Sequence, residues 1–557
     1  MKIAIAQQNY HIGDFDYNKK KIIDTIENAK ANNVELIVFS ELCICGYPPK
    51  DFLYYTDFID ACQNSLKQIA SHAQQIGVII GCPTRNAQPE GKDLFNSAYL
   101  LYEGKIADVV HKSLIPTYDV FDEYRYFEQA DEWHVVHFKN KKIALTICED
   151  LWNVCDNPMY KTSPMDQLIS QNPDIMINLS ASPFDYMHGI ERKNILKENS
   201  KKYHLPLVYC NTVGAQTDII FDGGSLAFDI NQNIILEASY FQEEFAVLDL
   251  NSDGTFQQQS IITNEINHTT ENQDAHYNIQ KIYQALILGI KDYFEKLGFK
   301  KAIIGSSGGI DSAVVVALAC KALGEENVLA VLMPSPYSSE HSVLDAQQLS
   351  INLKNPYQTL PIQHIFESFL NELKPIYKDL PFNVAEENIQ ARIRGNLLMA
   401  ISNKHNYILL NTSNKSECAV GYGTLYGDMA GGLAVLGDVY KTQVYALAKY
   451  INLEKEIIPI HIIEKAPSAE LRPNQKDSDS LPDYSILDAI LYQYIEKNKS
   501  ASELIAQGYE KELVLRVLNM VTRNEYKRNQ FCPILRISPK SFGFGRQMPI
   551  VAKYLFK

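Results

Sequence analysis

No run of about 18 consecutive apolar residues occurs in this 557-residue chain, so nothing in it reads as a membrane span. The opening MKIAIAQQNY alternates like a strand and lacks the long apolar block of a secretory signal. Basic residues are in deficit: 52 Lys and Arg stand against 66 Asp and Glu, a net charge of −14. A chain this acidic lacks the positive field that non-specific nucleic-acid binding relies on, so any nucleotide it handles is expected to be small. The ten cysteines form no CxxC pair and no disulfide framework, which points to free thiols, a reducing compartment and a cytoplasmic location. Hydrophobic residues at 46% against 21% charged leave too much apolar content for disorder. At roughly 100–200 residues per domain, the length allows two to four domains.

Two halves differ in pattern. Up to residue 250 there are many short apolar runs, among them IAIAQ (3–7), ELIVFS (35–40), GVIIG (77–81), KIALTIC (142–148), DIMINLS (174–180) and PLVYCNT (206–212). Gly, Pro or Asn bound them and helical patterns such as 16–32 fall between, which predicts an α/β sandwich over 1–250. Residues 251–276 are polar and weakly periodic and read as a linker. From 277 to 557, long helices alternate with short strands. The βαβ unit spanning 301–334 predicts a doubly wound parallel sheet.

The sharpest local signal lies in that unit: IIGSSGGIDSA, a strand, a glycine-rich turn and a helix start. Gly305, Gly308 and Gly309 let the backbone turn closely around a ligand. The helix after Ile310 aims unpaired N–H groups at it, and Ser306, Ser307 and Ser312 add hydroxyls. There is no Gly-Lys-Ser/Thr ending and no GxGxxG, so neither a Walker loop nor a dinucleotide fingerprint is present. Ser-Gly-Gly-x-Asp-Ser is the pattern of the pyrophosphatase-type loop of ATP-dependent adenylating enzymes. In such a loop Asp311 would hold Mg²⁺ against the phosphates, because an acid alone would repel them.

With that loop, the segments at 386–400, 409–444, 465–484 and 524–531 resemble NAD⁺ synthetase across nearly all of 277–557. The resemblance implies that ATP activates the carboxylate of deamido-NAD⁺ as an acyl-adenylate and that ammonia displaces AMP. It places Thr412, Lys441 and Ser468 on ATP, and Asn388, Glu417 and Lys527 on deamido-NAD⁺, with Glu417 joining Asp311 on the metal side.

Three segments of the first half stand out. VFSELCICGYPPKD (38–51) carries Glu41 past a strand end. HKSLIPTYDVFDEYRYF (111–127) carries Lys112 after an apolar run, and KIALTICEDLW (142–152) ends a strand in Cys148. A strand-end cysteine is usually a small buried hydrophobe. Chemistry needs all three to converge: a carboxylate to take the thiol proton and an ammonium to balance the tetrahedral oxygen. In sequence and order the segments resemble the nitrilase, or carbon–nitrogen hydrolase, superfamily, which implies its α-β-β-α sandwich. Glu41 would be the general base, Lys112 the charge stabiliser, Cys148 the nucleophile and Glu123 a supporting acid.

A nitrilase-like amidase joined to an NAD⁺ synthetase is the architecture of the glutamine-dependent NAD⁺ synthetase family. That resemblance implies glutamine, ATP and deamido-NAD⁺ as small-molecule substrates, no nucleic-acid or membrane partner, and a homo-oligomer built through the synthetase half. Two other readings compete: a GMP- or asparagine-type amidating synthetase, which the N-terminal amidase disfavours, and a chain in which one half has lost catalysis and only binds. The family's glutamine contacts map to Tyr118, Ser182 and His188. Many relatives carry Lys or Arg at the third position, and Arg192 or Lys193 could substitute for it. If His188 is the carboxylate contact, the glutamine KM rises as pH climbs above about 7, given an ordinary histidine pKa near 6.5. A KM flat from about pH 6 to 8.5, in the wild type and in His188→Gln alike, would remove His188 from that role.

Overall fold

The computed structural model describes residues 1–154, 158–257, 278–473, 475–552 and 554. They form two compact units, one ending within the described residues at 257 and the other beginning at 278. Most of the polar stretch read as a linker, 258–276, therefore lies outside the described residues. Residues 251–257 double back along the end of the preceding strand, through a bridge between Leu250 and Phe256.

Among the described residues the first unit has fourteen strands: β1 (Lys2–Gln7), β2 (Leu36–Val38), β3 (Gly77–Arg85), β4 (Leu94–Tyr102), β5 (Lys105–His111), β6 (Val136–Phe138), β7 (Lys141–Ile147), β8 (Ile175–Ser180), β9 (Leu207–Asn211), β10 (Val213–Gln216), β11 (Ile219–Asp222), β12 (Leu226–Phe228), β13 (Ile234–Glu237) and β14 (Glu244–Asp249). Twelve of them make two six-stranded sheets, ordered β14-β1-β2-β3-β4-β5 and β13-β12-β9-β8-β7-β6. Alternation along each strand sends one set of side chains between the sheets: Ile3, Ile5, Leu36 and Val38 meet Ile143, Leu145, Ile177 and Val208 there. The opposite set, Ala4, Ala6, Ile37 and Val78, packs beneath helices α1 (Phe15–Ala31) and α2 (Thr56–His72). Beyond the other sheet, Ala144, Met176 and Leu207 pack against α3 (Pro164–Leu168) and α4 (His188–Tyr203). The layers are thus α-β-β-α.

Strands β1, β2 and β3 run parallel, as do β7, β8 and β9. Glu41 follows the end of β2, Cys148 the end of β7 and Ser182 the end of β8. Lys112 follows β5 directly.

The second unit begins with α5 (Ile279–Leu297). It then runs β15 (Ala302–Gly305), α6 (Ile310–Leu323), β16 (Val328–Leu332), α7 (Glu340–Leu353), β17 (Tyr357–Thr359), α8 (Gln363–Tyr377), α9 (Val384–His405), β18 (Ile408–Asn411), α10 (Lys415–Val420), β19 (Leu433–Ala434) and α11 (Lys441–Ile451). The sheet order is β17-β16-β15-β18-β19, parallel throughout. Ile303, Val331 and Leu409 face α8 and α9, while α6 packs on β15 and β16 from the other side with α5 and α11 against it. The order reverses direction between β15 and β18. At such a switch point neighbouring connections leave on opposite faces and open a crevice at the strand ends.

Gly81 in β3 shows how tightly the first unit holds its Glu41 turn. A Cβ there would sit on the amide of Leu42 and against the Ser40 carbonyl. Gly81→Ala is expected to cost about 1–3 kcal/mol of stability, which a denaturant titration reads as a lowered unfolding midpoint.

Candidate active sites

Lys112 is fully buried, and its ammonium is met by two carboxylates. It donates to Glu41 Oε1 at 2.8 Å and to Glu123 Oε1 and Oε2 at 2.8 and 2.9 Å. Asn96 Nδ2 donates to Glu41 Oε1 at 2.7 Å, and the Ala181 amide donates to Glu41 Oε2 at 2.9 Å. The Tyr47 hydroxyl donates to Glu123 at 2.8 Å. Burial raises the Glu41 pKa; Lys112 opposes that rise and the Glu123 charge adds to it. Burial works to lower Lys112, but Glu123 and Glu41 hold it well above the ordinary lysine range.

Cys148 opens the turn Cys148–Leu151 with φ of +41°, a left-handed conformation that side chains with a Cβ rarely adopt. Its thiol is pushed well up by burial and by the Glu41 charge, with Lys112 pulling the other way. Lys112 thus pairs directly with Glu41, and buried Cys148 lies close enough for the charges of both to act on its thiol.

Two acids follow Cys148, and the sequence reading gave neither a role. Asp150 accepts the Ile147 amide at 3.0 Å on one oxygen, and the Ser113 and Leu114 amides at 3.0 and 2.8 Å on the other. It thereby fastens the Cys148 turn to the segment just after Lys112. Burial raises it to about 6 against those backbone donors. Glu149 accepts the Tyr118 hydroxyl on both oxygens, at 3.0 and 2.9 Å, and burial raises it to about 7. The signal available in the sequence was Cys-Glu-Asp itself, two acids directly after a candidate nucleophile.

The expected glutamine contacts gather around the same turn. Ser182 Oγ lies 2.9 Å from His188 Nε2, and the imidazole stacks on Trp152 with ring centroids 4.7 Å apart and planes 6° apart. Tyr118 reaches the turn through Glu149, and His188 reaches it through Trp152. The two cations considered as substitutes for His188 are committed elsewhere. Arg192 is buried in a bidentate pair with Asp222, both bonds 2.9 Å, and Lys193 pairs with Glu237 at 2.8 Å.

In the second unit, a cavity of about 270 Å³ is lined by Gly305, Ser306, Ser307, Gly308, Gly309, Ile310 and Asp311, together with Thr412, Glu417, Lys441 and Ser468. Gly308 has φ of +78°, and a Cβ on it would collide with the Ser342 carbonyl. Ser312 stands behind the loop: its Oγ donates to the Gly309 carbonyl at 3.0 Å and lies 3.3 Å from Ser307 Oγ.

Lys441 Nζ lies 2.5 Å from Asp311 Oδ2 and 3.6 Å from Glu417 Oε1. Buried Asn414, missed in the sequence, donates to Asp311 Oδ1 at 2.9 Å. Its own carbonyl oxygen caps α10 by accepting the Glu417 amide at 3.0 Å. Burial and the Asp311 charge raise Glu417 to about 8.

Asn388 and Lys527 are not part of the cavity lining; both hold the loop at 421–424. Asn388 accepts the Thr424 hydroxyl at 2.8 Å, and Lys527 donates to the Gly421 and Gly423 carbonyls at 2.7 and 2.8 Å.

The halves also match separate families. Residues 2–257 match the carbon-nitrogen hydrolase family and residues 282–531 the NAD synthase family. Whole-chain relatives join the two. The glutamine-dependent NAD(+) synthetase of Synechocystis sp. is 45% identical over 99% of both chains, and that of Thermotoga maritima is 39% identical over 100% of this chain and 99% of its own. The solved glutamine-dependent NAD+ synthetase of Acinetobacter baumannii in complex with ADP is 38% identical, with a TM-score of 0.77 over 99% of this chain and 98% of that one. A synthetase structure from Cytophaga hutchinsonii, 20% identical, shares the fold with a TM-score of 0.82. With a buried Cys–Glu–Lys cluster in one unit, an SGGxDS loop in the other, and relatives alike over their full lengths, the chain belongs to the glutamine-dependent NAD⁺ synthetase family.

Proposed function

We propose that the chain converts deamido-NAD⁺ to NAD⁺ with ATP, taking the nitrogen from glutamine that its first half (1–250) hydrolyses, and that its second half (277–557) performs the amidation. The observation that carries this reading is the pairing, in one chain, of the Glu41–Lys112–Cys148 cluster with a glycine-rich loop facing Lys441 and two acids.

At the first site Cys148 attacks the glutamine carboxamide carbon while Glu41 takes the thiol proton. The Lys112 ammonium offsets the charge on the tetrahedral oxygen. Glu41 returns the proton to the departing ammonia, which leaves a thioester. Water, deprotonated by Glu41, releases glutamate and restores the thiol. Glu149, held by Tyr118, suits the substrate's α-ammonium, and the Ser182–His188 pair suits its α-carboxylate.

At the second site the deamido-NAD⁺ carboxylate attacks the α-phosphorus of ATP and expels pyrophosphate. Ammonia then attacks the acyl carbon and AMP departs. The loop amides and Lys441 hold phosphate oxygens, while Thr412 and Ser468 border the nucleotide. Asn388 and Lys527 act on deamido-NAD⁺ through the 421–424 loop that they secure.

The cavity's charged lining comprises five carboxylates, Asp311, Glu417, Asp428, Glu470 and Asp477, against Arg394, Lys441 and Lys465. That excess of negative charge would repel a polyphosphate. Among the described residues no trio of His, Cys, Asp or Glu forms a metal cage. Two hard carboxylates, with phosphates completing the shell, are how proteins hold Mg²⁺. Asp311 and Glu417 fit that role, and Mg²⁺ bound there would supply positive charge against the phosphates. No helix among the described residues is long and apolar enough to cross a membrane. We read the working form as a cytoplasmic homo-oligomer.

Two outcomes test this division of labour. Cys148→Ala abolishes glutamine-driven NAD⁺ formation, by at least about 10³-fold, and retains the ammonium-driven reaction; loss of both would refute the assignment. Chelating divalent cations stops AMP release with either nitrogen source but leaves glutamine hydrolysis by the first unit in place, as read by glutamate release.

A further inference from the structure

The three cations lining the nucleotide cavity differ in how their charge is met. Lys441 lies against Asp311 and Glu417, and Lys465 lies 2.7 Å from Glu470. Arg394, on α9, donates Nε to the Met333 carbonyl at 3.0 Å. Among the described residues, no carboxylate comes within ion-pair distance of its guanidinium; Asp428 and Glu470 act on it only from farther off. Arg394 is half-buried, and desolvation lowers its pKa to about 10. A half-buried cation lining a cavity with no carboxylate at ion-pair distance is placed to receive an anion from a ligand.

Its placement shows which anion. The Met333 carbonyl anchors the guanidinium just past the end of β16. Leu398, one helical turn further along α9, packs against the Cα of Gly305, with 3.2 Å to a Cβ built there. Helix α9 belongs to the layer that covers Ile303, Val331 and Leu409, whereas the loop's amide donors lead into α6, which packs on β15 and β16 from the other side. A phosphate chain seated on the loop would have amides on one flank and Arg394 on the other.

We propose that Arg394 binds a phosphate oxygen of the nucleotide, gripping the polyphosphate from the face of the sheet opposite the glycine-rich loop. The inference rests on the assignment of this cavity to ATP. A forked guanidinium can meet two oxygens of one phosphate, a geometry that a lysine ammonium cannot reproduce.

Calorimetric titration of the full-length chain with Mg·ATP, adenosine and deamido-NAD⁺, in wild type, Arg394→Met and Arg394→Lys, tests it. Arg394→Met is expected to weaken ATP by roughly 10- to 100-fold and to leave adenosine within about twofold, since adenosine carries no phosphate; Arg394→Lys recovers part of the ATP affinity. Undiminished ATP affinity in both variants would overturn the proposal. So would equal losses for ATP and adenosine in both, which would make Arg394 a scaffold residue, or a loss confined to deamido-NAD⁺. If wild-type protein bound no ATP, the assignment of the cavity would fail first, and the wild-type titration reports that separately.

Discussion

The first unit is organised around one constraint: an ammonium fully removed from water must be paired, and Lys112 is paired twice. Meeting that requirement draws together the turn after β2, the end of β5, Asn96 on β4 and the turn at Glu123, none of which is adjacent in sequence. Two carboxylates around one cation leave a net negative cluster. Burial raises both Glu41 and the Cys148 thiol, and the surplus of negative charge adds to each rise. Gly81 and Asp150 hold the turns that carry these two groups. One lets β3 press against the Glu41 turn, and the other fastens the Cys148 turn to the chain beyond Lys112.

The second unit repeats the arrangement, with two acids around one lysine beside the glycine-rich loop. Their spacing is set by Asn414, which touches Asp311 directly and Glu417 through its amide. The next residue, Lys415, is buried among Asp438, Glu496 and Ser538, at 3.0, 2.8 and 2.7 Å, and so moors α10 to chain segments far along the sequence. Glu41 and Cys148 in one unit, and Asp311 and Glu417 in the other, sit past the carboxyl ends of parallel strands, where side chains from distant segments can share one small volume; Lys112 joins them from the end of the antiparallel edge strand β5.

Much of this was legible in the sequence because parallel strands buried on both faces read as continuous apolar runs; β1, β2, β3, β7, β8 and β9 were found that way. Strand β5, KIADVVH, was not read as a strand: its first three residues are exposed, and only the short apolar stretch just before Lys112 marked it. The three- and four-residue strands β6 and β10–β13 are too short for any period. Glu41, Lys112 and Cys148 stood out because each follows an apolar run in a recognisable order. Their partners did not. Asn96 and the Ala181 amide reach Glu41 from 55 and 140 residues away, and nothing local marks a strand asparagine or a backbone N–H as part of a site. Likewise Arg192 resembled a spare cation until its fork was seen closed on Asp222.

The stacking of Trp152 on His188 has a practical side. The chain contains only two tryptophans, and one lies flat on an imidazole that hydrogen-bonds Ser182. An indole's emission responds to a charge held against its ring. The protein therefore carries a native optical reporter at the end of the Cys148–Leu151 turn, readable without any attached dye.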